Sequence, residues 1–376
     1  MKRLIVAVTA VLLFAGTSVL VSPGVADEVE VVRVEGFAAP STGPSAYNGK
    51  ERENSDRLAI EGTNWRSPML ANRPFKFELV AQADQGDLRI ASPIAQRLSD
   101  MSVAGVVGHF NSSCSIAASN VCESASVAEV SPSSTSPAYT CRRYKTAFRV
   151  IGQDGVAGAV LGRYVVETPH VQRIAIIVDR TAFGQCLADT GNDAIGSLHG
   201  QVVGREHITD KTVDFSAVLM RVRSQNADFV VSHGFDAQTA QPIRRMRSLQ
   251  MNAKLVGEAF NNDAFLKLAR GDGEGKVTIQ PGLPMDKFPA NDSSRRYGGS
   301  FKEKLEGSQG PYGYDAATVL VHAVLESQSS APGKILAAVR RTHIDSLTES
   351  LAFDRRATCL TRRTRYFDWT VTHGVS

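Results

Sequence analysis

The chain has 376 residues, of which 43% are hydrophobic and 21% charged. This is the composition of a folded globular protein with room for about two domains. The formal net charge of +4 is small and dispersed, which argues against a nucleic-acid-binding surface. The sequence contains no P-loop, no G-x-S-x-G or G-x-G-x-x-G motif and no metal-binding Cys/His spacing, so we expect neither an enzyme nor a cofactor.

The N-terminus has the pattern of a secretory signal peptide. Lys2 and Arg3 precede an apolar core over residues 4–21, and small residues at Gly24 and Ala26 flank a cleavage site before Asp27. The alternative is an uncleaved anchor helix, but the core is interrupted by polar residues and is short for a membrane span. We therefore predict a signal peptide over residues 1–26 and export of the mature chain.

The sequence contains five cysteines, an odd number, so at least one lacks an intrachain partner. Export permits disulfides. Cys114 and Cys122 should lie two turns apart on one helix, too far to bridge each other. Cys141 could approach either of them, and the sequence leaves this pairing open.

The first elements in chain order alternate between strand and helix. Residues 29–39 predict a strand, residues 49–62 a helix, residues 75–83 a second strand, and residues 88–99 a second helix after the turn at residues 84–87.

The next stretch, residues 103–140, brings two hydroxyl-rich loops to one sheet edge. Strands are predicted over residues 103–109 and 127–130, with a helix over 115–125 between them and loops over 110–113 and 131–137. Ligands bind at this edge of open α/β sheets, and hydroxyls with free N–H groups at a helix start suit an anion. The simpler interpretation is that Ser112 only caps the helix and the second loop is an ordinary turn.

The second half repeats the alternation. Strands are predicted over residues 173–179, 202–207, 227–232 and 255–259, with helices over 155–167, 182–198, 214–225, 237–249 and 262–270. Later helices fall over residues 313–326 and 332–341, and strands over 351–354 and 364–372.

This pattern predicts an α/β fold of two doubly wound parallel-sheet lobes. Crossings near Val150, Gln280 and Leu351 would form a three-crossing hinge, which suits closure around a small ligand. The first lobe would take residues 27–150 and 281–350, and the second lobe residues 151–280 and 351–376.

The two loops also carry a family resemblance. The segments 108–113 (GHFNSS) and 131–135 (SPSST) resemble the paired loops of periplasmic binding proteins for branched-chain amino acids. Residues 84–87 (DQGD), 173–179 (RIAIIVD) and 257–258 (GE) follow the same family in order and spacing. The resemblance implies a type I periplasmic-binding fold, a periplasmic location, and a protein that passes a captured amino acid to the permease and ATPase of an ABC importer.

The resemblance implies ligand contacts residue by residue. Ser112 and Thr135 would hold the ligand's carboxylate and help hold its ammonium, while Glu258 would pair with the ammonium. Backbone groups near Phe110 and Ser133 would add to the grip. The complete predicted ligand-binding set is Ser112, Thr135, Glu258, Phe183, Ser133, Phe110, Asn111, Ser134, Asn48, Tyr47, Phe235 and Asp236.

Several of these assignments have alternatives. Phe183 stands where relatives usually have a tyrosine, and it could belong to the core instead. Either Asn48 or Tyr47 would face the cleft. Asp236 would be a second acidic group at the site or a helix cap, and Glu258 alone could be a surface carboxylate.

The resemblance also implies one difference from many relatives and is compatible with other ligands. Many relatives carry a disulfide between positions that here are Asn111 and Gly86, so that bridge is absent. A family member that no longer binds amino acids would take a small carboxylate, an aromatic acid or an amide, for uptake or for sensing. Retention of Ser112, Thr135 and Glu258 together favours an amino acid.

Overall fold

The computed structural model describes residues 30–42, 45–258, 260, 262–274, 276–281, 297–301, 309–348, 350–354, 359–360 and 369–372. The predicted signal peptide and the first part of the predicted strand 364–372 lie outside these residues. None of the helices described is both long enough and apolar enough to cross a membrane.

The first lobe is built on a six-stranded sheet. Its strands are β1 (Glu30–Ala39), β2 (Met69–Leu70), β3 (Arg73–Ala83), β4 (Gly105–Gly108), β5 (Ala128–Ser131) and β6 (Ala147–Arg149), in the order β2-β3-β1-β4-β5-β6. Its first helices are α1 (Ala46–Asn64), α2 (Leu88–Asp100), α3 (Ser112–Ala125) and α4 (Pro137–Cys141). All neighbouring strands are parallel except β2 and β3, which are antiparallel.

The second lobe repeats this plan. Its strands are β7 (Arg173–Val178), β8 (Gln201–His207), β9 (Phe229–His233), β10 (Lys254–Glu258) and β11 (Val277–Pro281), all in parallel pairs. Its helices are α5 (Asp154–Glu167), α6 (Ala182–Ser197), α7 (Ser216–Ser224), α8 (Asp236–Ser248) and α9 (Asp263–Ala269).

The last segments return to both lobes. Helices α10 (Gly310–Ser327) and α11 (Pro332–Val339) join the first core. Strands β12 (His343–Asp345), β13 (Ser350–Phe353) and β14 (Cys359–Leu360) form a small antiparallel sheet. Strand β15 (Trp369–Thr372) pairs antiparallel with β11 and gives the second sheet the order β15-β11-β10-β9-β7-β8.

The central strands of both sheets are covered on both faces, which explains why they are continuously buried. In β4, Val106 packs with residues of α2 and α3, while the next residue, Val107, packs with residues of α10 and α11. In β7, Ile176 packs toward α5 and α6, while Ile177 packs toward α7 and α8. Each lobe is therefore a helix–sheet–helix sandwich, and the prediction of two doubly wound parallel sheets is confirmed.

The structure differs from the prediction at the ends of some elements. Helix α3 starts at Ser112 and not at residue 115, so the hydroxyls of the first loop belong to its first turn. Strands β2, β12 and β14 are short and were not predicted, because two or three residues carry too little periodicity. The small sheet places Leu351 in the first core, so the boundary predicted at residues 350/351 falls inside β13.

Candidate ligand-binding site

A narrow cleft lies between the carboxyl ends of the two sheets. The first lobe contributes Asn48, Phe110, Ser112, Ser133, Thr135 and Gln309, and the second lobe contributes Phe183, Gly234, Phe235, Asp236, Glu258 and Asn262. The lobes touch beside the cleft, where the Ala182 N–H donates to Ser113 Oγ at 3.2 Å. The cleft is therefore nearly closed.

The first-lobe wall consists of hydroxyl groups at the start of α3 and in the loop after β5. Ser112 Oγ accepts the Ser136 N–H at 3.3 Å, which leaves its own proton available to an acceptor. Thr135 is 2% exposed, and its Oγ1 has no hydrogen-bond partner among the described residues. Hydroxyl donors beside a helix N-terminus can hold a carboxylate without burying a positive side chain.

Arg149 at the end of β6 shapes the second loop from behind. Its guanidinium donates to the carbonyls of Ser134 and Ser136, both at 2.7 Å, and to Thr140 Oγ1 at 2.9 Å. The guanidinium is fully buried, and this burial lowers the pKa of Arg149. Three bonds to a buried cation fix the path of the loop that carries Ser133 and Thr135.

His109 holds the two loops together. Its Nδ1 lies 2.7 Å from Asp84 Oδ2, and both side chains are fully buried. Its carbonyl accepts the hydroxyls of Ser131 at 3.1 Å and Ser134 at 3.3 Å. His109 therefore has a structural position beneath the cleft, and the Ser134 hydroxyl is directed into the same network.

The second-lobe wall carries a buried carboxyl group at the end of β10. Glu258 is 4% exposed, and its Oε2 has no hydrogen-bond partner among the residues described. Burial, and next the nearby carboxylate of Asp154, raise the pKa of Glu258 well above its usual value. A carboxyl group in this state would be stabilised as an anion by a cationic group in the cleft.

Asp154 was not predicted as a site residue. It is fully buried at the start of α5, and its N–H donates to the Thr135 carbonyl at 3.0 Å. Burial raises the pKa of Asp154 to about 7, against the opposing influence of Thr135 and Arg149. Asp154 does not line the cleft, but it lies close enough to Glu258 of the second-lobe wall and to Thr135 of the first-lobe wall to interact with both.

Asp236, the first residue of α8, connects the two lobes. Its Oδ2 accepts Asn48 Nδ2 at 3.3 Å, and its Oδ1 accepts Asn262 Nδ2 at 3.4 Å. Burial raises the pKa of Asp236 to about 7. Asn262 is fixed by capping α9, since its Oδ1 accepts the Phe265 N–H at 2.7 Å.

Three phenylalanine rings form the apolar part of the cleft. Phe235 lies 5.4 Å from Phe183 and 5.8 Å from Phe110, measured between ring centroids. The Arg52 guanidinium lies 4.5 Å from the Phe110 centroid and donates to Gln309 Oε1. Phe183 also packs against the second-lobe core, so it belongs to both the cleft and the core edge.

Most of the predicted residues line this cleft. Those that do are Asn48, Phe110, Ser112, Ser133, Thr135, Phe183, Phe235, Asp236 and Glu258. Tyr47 is not among the lining residues, Ser134 is directed inward, and Asn111 lines a neighbouring groove with Gly86. Three lining residues were not predicted: Gly234, Asn262 and Gln309. Gly234 lies between the predicted strand over residues 227–232 and the predicted helix over residues 237–249, at a strand end where ligands bind.

Asn111 and Gly86, the two positions at which the resemblance implied a disulfide in relatives, lie together in the neighbouring groove. A Cβ atom on Gly86 would lie 3.1 Å from Asn111 Oδ1. Cys114, Cys122, Cys141 and Cys186 are free thiols. Among the residues that the structure describes, no three His, Cys, Asp or Glu side chains are grouped so as to hold a metal ion.

Two α/β lobes that meet over a small polar cleft define a binding protein that encloses a small molecule. The comparison with known proteins makes this more specific. A family model described as Periplasmic binding protein matches residues 35–370, and the chain belongs to that family. It is accordingly a solute-binding protein and not an enzyme.

Two relatives of this chain are named for the binding of branched-chain amino acids. The leucine-specific-binding protein of Salmonella typhimurium is 28% identical over 335 residues, which cover 88% of each chain. The Leu/Ile/Val-binding protein of Escherichia coli K12 is 26% identical over 331 residues, covering 87% of this chain and 88% of its own.

Solved structures share the fold at lower identity. A leucine-binding protein from Thermotoga maritima superposes with a TM-score of 0.81 at 21% identity, covering 91% of this chain and 95% of its own. A solute-binding protein from R. palustris in complex with benzoate superposes with a TM-score of 0.78 at 15% identity, covering 92% and 93%.

Proposed function

We propose that this protein captures an α-amino acid, branched-chain or of similar size, between its two lobes and delivers it to an ABC importer. The observation that carries the proposal is the pairing of hydroxyl groups on one wall with a buried carboxyl group on the other. Ser112 and Thr135 suit a carboxylate, and Glu258 suits an ammonium. Relatives named for leucine, isoleucine and valine binding support the same class of ligand.

The two lobes bind opposite ends of the ligand, and this arrangement explains how closure would follow binding. The ligand's carboxylate binds first-lobe hydroxyls and N–H groups, which are neutral donors. Its ammonium then meets Glu258 as the second lobe swings in, and the Thr135 hydroxyl offers it a further acceptor. Because each lobe recognises one end of the ligand, a molecule that lacks either end stabilises the closed form less.

A thermal-shift screen of the common amino acids, followed by calorimetry, tests this proposal. Binding to the native state raises the unfolding temperature. The best amino acid is then compared with two analogues of the same side chain, one lacking the amine and one lacking the carboxylate. Loss of affinity for both analogues supports the proposal. If the acid without an amine, or benzoate, binds as tightly as the amino acid, a small carboxylate is the ligand.

We further propose that the chain is exported to the periplasm after cleavage of residues 1–26, and that it serves the permease and ATPase of its importer there. The charged start, apolar core and small-residue site of this segment support export. N-terminal sequencing of the periplasmic protein should begin at or near Asp27. Recovery of the protein in membranes with Met1 intact would contradict this expectation.

A further inference from the structure

A continuous chain of polar side chains runs across the cleft beside the phenylalanine rings. Asn48 Nδ2 donates to Asp236 Oδ2 at 3.3 Å, and the Asn48 carbonyl accepts Arg52 Nη1 at 2.7 Å. Arg52 Nη2 and Ser133 Oγ, the latter at 3.2 Å, both donate to Gln309 Oε1. The wall from Asp236 to Ser133 is therefore polar along its length.

Asp236 has more acceptor capacity than its neighbours use. A carboxylate has about four lone-pair sites, and from the residues that the structure describes each oxygen of Asp236 receives one long amide bond, at 3.3 Å from Asn48 and 3.4 Å from Asn262. The pKa of this group is raised to about 7 because burial outweighs the bond from Asn262. Asp236 is half-buried at the cleft wall, so a ligand that closes over it removes its remaining water, which the two long amide bonds do not replace.

This wall is poorly matched to an aliphatic side chain. Such a side chain would strip the remaining water from Asp236 and offer it no hydrogen bond, which leaves a buried acceptor unpaired. Sites built to hydrogen-bond a ligand reject the analogue that lacks the group far more strongly than apolar pockets reject an extra methylene. The three phenylalanine rings can still cover the methylene stem of a polar side chain.

Resting on the proposed amino-acid function, we propose that the bound amino acid has a hydrogen-bond-donating side chain (an amide, a hydroxyl or an ammonium) and that Asp236 accepts from it. Ser112, Thr135 and Glu258 hold the part common to all α-amino acids. Asp236 determines which side chain is accepted.

Amino-acid pairs of equal shape provide the test. Leucine and asparagine differ by an isopropyl group exchanged for a carboxamide, and valine and threonine by one methyl exchanged for a hydroxyl. Norleucine and ornithine differ by a terminal methyl exchanged for an ammonium. Calorimetry should show the polar member binding at least tenfold tighter in at least one pair. If the aliphatic member binds equally or more tightly in every pair, the inference is overturned and the proposed function stands. If no α-amino acid binds at all, both are overturned.

Variants at Asp236 test its role directly. Asp236→Asn, which keeps the shape, should reduce the preference for the polar member by at least tenfold, and Asp236→Leu should reverse it. Asp193→Asn, on the exposed face of α6, is the matched control and should leave the preference unchanged. Thermal unfolding establishes that each variant is folded, and Asp236→Asn suffices if the leucine variant is not. An unaltered preference in folded Asp236→Asn would overturn the assignment.

Discussion

The Glu258→Gln exchange tests the electrostatic basis of the site most directly. The exchange keeps the size of the side chain and removes its charge. Glu258 is 4% exposed, and its Oε2 has no hydrogen-bond partner among the described residues. A ligand ammonium enclosed against it would lose its countercharge in the variant while remaining desolvated.

Truncating one member of such a buried charge pair costs about 2–5 kcal/mol, which corresponds to about 30- to 5,000-fold in the dissociation constant. Removing the Thr135 hydroxyl should cost less, about 1–3 kcal/mol for a hydrogen bond to a charged group. The two variants should also differ in kind. An acid that lacks the amine should bind Thr135→Ala more weakly, and it should bind Glu258→Gln as well as the wild type or better.

Isothermal calorimetry on both variants with both ligands measures these differences. Glu167→Gln, an exposed residue at the end of α5 in the same lobe, is the matched control for loss of one negative charge. The reasoning is refuted if folded Glu258→Gln binds the amino acid with wild-type affinity. In that case the ammonium would not be held by this carboxylate.

Three further outcomes are expected. Asp315→Ala should lower the free energy of unfolding by about 2–4 kcal/mol in urea titrations, because Asp315 accepts bonds from Ser346, Leu347 and Thr348; an unchanged midpoint would contradict this. Saturating ligand should decrease the radius of gyration in X-ray scattering, and an unchanged curve would argue against lobe closure. Without ligand the protein should be more compact at pH 5 than at pH 8, because Asp236 faces the cleft between the lobes, burial there raises its pKa to about 7, and the closed form loses stability as pH rises through that value; equal radii would refute it.

The fold was predictable because its signals are local. The run from Arg173 to Val178 is continuous and apolar, as a strand covered on both faces requires, and helical periodicity marks the elements between strands. The two hydroxyl loops were found by the same logic, since successive parallel strands place their carboxyl ends at one edge. A short pair such as Met69 and Leu70 carries no such signal.

The rest of the site could not be predicted because it is assembled from distant segments. Gln309 reaches the cleft from the start of α10 and meets Arg52, 257 positions away in the sequence. The sequence around Asn262 indicates a helix cap, and the side chain does cap α9. Only the folded chain shows that its amide also donates to Asp236. Aspartate and arginine residues most often lie at the protein surface. No local sequence signal indicates that Asp154 and Arg149 are both fully buried.

The buried charges also suggest why closure should depend on ligand. Glu258 and Asp236 line the cleft, and each has a pKa raised mainly by burial in this nearly closed form, so bringing the lobes together over an empty cleft is unfavourable for both as anions. The buried Arg149 is occupied by loop carbonyls and Arg52 by Asn48 and Gln309. A ligand ammonium supplies the missing positive charge, and it stabilises only the form in which both walls reach it. The same carboxylates that oppose closure of the empty protein thus favour closure around the ligand, which is the differential affinity that a shift between two states requires.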